Sequence, residues 1–104
     1  MSKPVPTLVV YRAKKGKAEE LLALVKKHAP ALRKVGLLTS DKVRAWRAHD
    51  KRADQTCFVE EFSWRDAEAS GLAHQTPEIM AVWEPMGAVL ESMSILQLDP
   101  IDVE

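Results

Sequence analysis

Few residues of this 104-residue chain have the chemistry to act on another molecule. His74, in Ala73-His74-Gln75-Thr76-Pro77-Glu78, is the sharpest candidate. Imidazole titrates at about 6.5 when unperturbed, so it takes or gives a proton near neutrality, and His74 is read as the catalytic residue. The plainer reading has it bridging the chain break before Thr76 and donating to a freed carbonyl. Glu60 is the second candidate. Strand alternation sets it between Phe58 and Phe62 on an apolar face, where an unpaired carboxylate is costly. Arg44 or Arg47 on the neighbouring strand would make it a structural ion pair; a carboxylate acting as a base is the sharper alternative. Tyr11 carries a hydroxyl that needs a partner if buried. Trp83, Trp46 and Trp64 are read as walls for an aromatic ligand, or as packing. These five residues, Tyr11, Glu60, Trp83, Trp46 and Trp64, form the substrate-binding expectation.

Much else is excluded. Fifteen Lys and Arg balance fifteen Asp and Glu, so the long-range field of a nucleic-acid or anionic-membrane binder is missing. Lys14-Lys15-Gly16-Lys17 is answered by Glu19-Glu20 and reads as a solvated helix entrance. Cys57 is alone, which forbids an internal disulfide and a Cys-rich metal site. His28 and His49 read as surface or loop residues, and no His, Asp or Glu pair has metal spacing. There is no phosphate-binding Gly-rich loop and no local signature of a Ser or Cys nucleophile. No apolar run reaches the roughly 20 residues of a membrane span, and the opening Met1-Ser2-Lys3-Pro4-Val5-Pro6 has no apolar signal core. The expectation is a cytoplasmic protein, one domain over residues 1–104, with no nucleic-acid or membrane partner.

The elements that position these residues follow from periodicity. Thr7 to Tyr11 is β-branched and aromatic, a strand. Ala18, Leu21, Leu22, Val25, Ala29, Leu32 and Val35 recur at three- and four-residue steps, one face of a helix stopped by Gly36. Pro30 lies inside it and predicts a kink or short break near His28-Ala29. Val43–Ala48 and Thr56–Trp64 read as strands joined by a polar turn. Ser63 with Asp66 suggests a helix start, and Thr76-Pro77-Glu78 a restart capped by Thr76. Ile79, Met80, Trp83, Met86 and Leu90 form the next stripe, with Pro85 inside it, and Met93–Leu98 is the last strand. The order β-α-β-β-α-β predicts an α+β, ferredoxin-like fold, a four-stranded antiparallel sheet with its helices on one face.

Apolar residues fall on both faces of that sheet: Leu8 and Val10 against Val9 and Tyr11, Leu96 and Leu98 against Met93 and Ile95. Two helices cover one face. The other would be an apolar patch larger than monomers tolerate, so a second copy packed sheet to sheet is expected, a homodimer.

With these elements in place, the chain resembles the antibiotic-biosynthesis-monooxygenase-like (ABM) domains of the dimeric α/β-barrel superfamily over nearly its whole length. The resemblance rests on Leu8-Val9-Val10-Tyr11, Gly16-Lys17-Ala18-Glu19-Glu20-Leu21, Phe58-Val59-Glu60-Glu61-Phe62-Ser63-Trp64 with Asp66-Ala67, and Ala73-His74-Gln75-Thr76-Pro77-Glu78. It implies a pocket between helices and sheet, and cofactor-independent oxidation of a small hydrophobic, aromatic or quinol-like molecule, with neither metal nor flavin. The alternative is a non-catalytic dimeric small-molecule-binding or stress-related module. The heme-degrading branch is similar in fold, but its Asn, Trp and His positions fall here at Tyr11, near Gly71 and near Ala81. Those departures argue against heme. The Asn/Trp/Tyr set of the polyketide-oxidising members is not recognisable either.

Overall fold

The computed structural model describes residues 3–104. The elements are β1 (Val5–Ala13), α1 (Ala18–Lys34), β2 (Arg44–Asp50), β3 (Gln55–Trp64), α2 (Ala69–Ala73), α3 (Pro77–Val89) and β4 (Leu90–Gln97). The strands form one sheet in the order β2-β3-β1-β4, every neighbour antiparallel. This is the expected α+β, ferredoxin-like arrangement.

Burial separates the two faces by alternation on β1 and β3, interrupted at Cys57, which is buried next to Phe58. On β1, Thr7, Val9, Tyr11 and Ala13 are buried, and on β3 so are Phe58, Glu60, Phe62 and Trp64. Pairing puts Val9 beside Glu60 and Tyr11 beside Phe58, so these side chains share the face that meets the helices. Leu21, Val25, His28 and Leu32 of α1 lie against it, together with Ile79, Val82, Met86 and Val89 of α3. At the clean burial of eight or so large side chains, each worth about 1.5–3 kcal/mol, this layer is the source of the fold's stability.

Local signals explain the element ends. α1 stops in a Schellman turn: Leu37 N–H bonds the Leu32 carbonyl, Gly36 N–H bonds Arg33, and Gly36 takes the left-handed φ of 74° that glycine permits. Three details differ from expectation. α1 runs unbroken through Pro30, which removes only the donor that would reach the Lys26 carbonyl. Ser63 stays in β3, and Asp66 accepts the Glu68 N–H at the entrance to α2. Thr76 stands at the N-cap of α3 but turns its hydroxyl back to donate to the Leu72 carbonyl at 2.7 Å.

The molecule is 19 Å along its thinnest axis, the depth of one helix layer and one sheet. The far face of the sheet has no cover within the chain. Trp46 and Leu96 lie on it, each 46% exposed, with Leu8, Val10 and Val59 half-buried around them.

Candidate functional site

Between α1, α3 and the β1–β4 half of the sheet lies a cavity of about 420 Å³, within the size range of small-molecule sites. Its wall is mostly apolar: Val9, Phe62, Trp64, Met80, Trp83, Met86, Leu90, Met93 and Ile95. Ile95 is 62% exposed although it lies on the helix-facing side, paired with Val9, because α1 and α3 cover β1 and β3 and leave β4 open. The cavity exists because the helix layer is narrower than the sheet.

A buried polar cluster adjoins this apolar space. The Tyr11 hydroxyl donates to Glu60 Oε1 at 2.7 Å, and His28 Nδ1 lies 2.7 Å from the same oxygen. All three side chains are buried, Glu60 with 1% of its surface exposed. Elements in register bring them together: Tyr11 and Glu60 share a face on adjacent strands, and His28 is the α1 residue in line between Val25 and Leu32. Burial, and then the Glu60 carboxylate, push the Tyr11 phenol far above its ordinary range, so it remains a donor. Tyr11 and His28 also line the cavity. His28 Nε2 is buried and has no hydrogen-bond partner among the described residues.

The His28 ring stands 5.9 Å from Trp83, and the His74 ring stands 4.8 Å from the same indole. Two imidazoles thus lie near Trp83, His28 buried and His74 exposed.

Of the residues singled out in the sequence, His74, Tyr11, Trp83 and Trp64 line this cavity. Glu60 stands behind the wall, bonded to Tyr11 and His28, and borders a smaller cavity of about 330 Å³ on the β2 side. Trp46 is not brought to the main cavity: it pairs with Val59 on the opposite face, under the Arg44 guanidinium at 5.4 Å. Neither arginine expected beside Glu60 pairs with it. Arg44 bonds Glu61 at 2.8 Å, and Arg47 lies over the Phe58 ring and reaches Glu19 at 3.6 Å. His28 was expected at the surface and is instead buried in the core. The available signal was its place in the row Leu21, Val25, His28, Leu32, opposite a carboxylate that needs a donor. His49 is exposed as expected, 3.1 Å from Asp54. Among the described residues no group of three His, Cys, Asp or Glu is placed to hold a metal ion, and no helix is long and apolar enough to cross a membrane.

No protein-family model matches the sequence, and no curated protein is similar to it. Solved structures are. PA3566 from Pseudomonas aeruginosa is 25% identical over 98% of both chains, with a TM-score of 0.70. SnoaB from Streptomyces nogalater, a cofactor-independent oxygenase, is 16% identical over 97% of this chain and 98% of its own, TM-score 0.70. A ferredoxin-like protein of unknown function from Bacteroides fragilis, described as dimeric, is 12% identical over 95% and 99%, TM-score 0.65. Candidate antibiotic biosynthesis monooxygenases are also among the similar structures. The chain has the fold of the ABM-like domains. The space between helices and sheet in this chain is lined by His28, His74 and Trp83.

Proposed function

We propose that this protein is a homodimeric, cofactor-independent monooxygenase of a small hydrophobic, aromatic or quinol-like molecule. The observation that carries the reading is the cavity itself: a mostly apolar volume of about 420 Å³ lined by Trp83, with the His28 and His74 imidazoles 5.9 and 4.8 Å from that indole. Likeness of fold to an oxygenase that needs no cofactor supports it. The second copy covers the open sheet face that carries Trp46 and Leu96.

The chemistry is within reach of such a site. A phenol with a free ring position gives up its O–H proton, and the anion passes an electron to O2. The radical pair joins at that ring carbon as a hydroperoxide. Loss of the C–H proton and cleavage of the O–O bond then leave a new carbonyl. Substrate plus O2 gives quinone plus water, with one atom of the O2 in each. Two protons leave the substrate, one from O–H and one from C–H, and must be carried, which is work for imidazole. His74, at the rim, exchanges them with solvent. Trp83 holds the ring by stacking.

The test is dioxygen uptake with 1,5-dihydroxynaphthalene, followed by mass analysis of the quinone made under ¹⁸O2. The expected result is one labelled oxygen per product, uptake reduced at least tenfold in His74→Ala, and an intact dimer in that variant. If a panel of phenols and quinols consumes no oxygen above the background rate, the enzyme reading falls and a binding module is left.

A further inference from the structure

The Tyr11–Glu60–His28 cluster has a chemical direction. Two acceptors do not approach to 2.7 Å without a proton between them, so one lies between His28 Nδ1 and Glu60 Oε1. Tyr11 already donates to that same oxygen, which suits a carboxylate accepting twice. For a neutral ring, that contact selects the Nδ1–H tautomer of His28, held by Glu60. The remaining ring nitrogen, Nε2, is then a bare lone pair. It belongs to a residue that is 3% exposed, that lines the cavity, and whose Nε2 has no partner among the described residues. A buried acceptor left empty costs free energy that a ligand hydroxyl would recover. Among the wall residues Phe62 and Met86 are apolar and Trp83 has only an N–H to donate, while Thr7, Ser70, His74, Glu84 and Gln97 are the other polar groups that line the cavity.

We infer that His28 Nε2 is the atom that receives the substrate's hydroxyl proton, and that the site selects aromatic molecules bearing a free phenolic or enolic O–H over their ethers. His28 is then a catalytic residue beside His74, and Glu60 is a positioning residue that acts through it, fixing the tautomer in which Nε2 is the basic nitrogen. In the step, the substrate O–H bond breaks, the N–H bond forms on Nε2, and the electron pair stays on the phenolate oxygen. Glu60 stabilises the resulting imidazolium without taking a proton. This inference rests on the cavity being the substrate site, as proposed above.

The test compares naphthol with methoxynaphthalene, which has the same rings and no donor. In the wild-type protein naphthol is expected to bind about tenfold more tightly by calorimetry, one good hydrogen bond's worth. In ¹⁵N-histidine spectra the His28 Nε2 resonance moves from the bare-acceptor position on adding naphthol and stays put with methoxynaphthalene. His28→Asn keeps a donor toward Glu60 and removes Nε2; the ratio of the two affinities, measured within that variant, is expected to fall from about ten to about one. The wild-type spectra decide the matter even if that variant does not fold. Equal binding of the two probes, or an unmoved Nε2, overturns the role of His28 and leaves the cavity reading intact. Failure of both probes to bind the cavity overturns the cavity reading, and this inference with it.

Discussion

Glu60 and Glu61 are consecutive, and they live in different chemical worlds. Glu60 points to the helices, 1% exposed, with Tyr11 and His28 both at 2.7 Å. Glu61 points to the open face of the sheet and meets Arg44 at 2.8 Å, where the arginine side chain is 59% exposed. The same functional group is held by neutral donors in a dry layer on one side, and by a solvated guanidinium on the other. A surface pair of the second kind contributes little. The first kind is dear to bury and dearer to break, so it sits where it also positions something. The two faces of the sheet differ accordingly: the helix side carries a fixed polar cluster beside a cavity, and the open side carries the exposed apolar area on which the proposed dimer rests.

The sharpest way to break this contrast is on the open face. Leu96→Glu, or Trp46→Glu, sets a carboxylate in the proposed sheet-to-sheet interface. Light scattering at micromolar concentration is expected to fall from twice the single-chain mass to the single-chain mass. A wild-type protein already at the single-chain mass would deny that face its role.

On the helix side, Glu60→Ala leaves the Tyr11 hydroxyl and the His28 Nδ1–H without an acceptor. A loss of about 3 kcal/mol in urea unfolding at fixed protein concentration is expected. A loss under 1 kcal/mol would mean that water reaches the cluster.

Tyr11 gives a milder and more specific handle, because it is the chain's one tyrosine. Burial and then Glu60 raise its pKa in the folded state, whereas the unfolded chain releases the proton at about 10. The stabilisation is therefore complete below pH 10 and lost as pH rises above it toward the folded value. Ultraviolet titration should show no tyrosinate band until the protein unfolds. Tyr11→Phe should cost about 1 kcal/mol at neutral pH and flatten the alkaline loss. A band that grows in at pH 10 with the fold intact would show the phenol to be solvated.

The smallest effect is the matched control. Glu61→Ala is expected to change stability by no more than about 0.5 kcal/mol, measured in the same urea series.

The fold was legible because its signals are local and periodic. Thr7–Tyr11, the 21-25-32 row and Gly36 each state their element without reference to anything distant. Glu60 was legible as an anomaly, since alternation alone places it between Phe58 and Phe62. Its partners were not, because the choice between Arg47 and His28 depends on how α1 crosses the sheet. Pro30 drew attention away from His28 by suggesting a break where the helix continues. Trp46 shows a different limit: alternation puts it opposite Ala45, but only the strand pairing shows that its side faces away from the helices. The opening above β4 depends on the width of the helix layer, which no residue pattern encodes.

The most direct test of the account is a crystal structure after soaking with a dihydroxynaphthalene. A ring is expected between Trp83 and Ile95, with one hydroxyl oxygen within hydrogen-bond distance of His28 Nε2 and a second protein copy against the face of Trp46 and Leu96. A cavity closed by its own side chains, with the aromatic molecule seated on the outer sheet face instead, would contradict it.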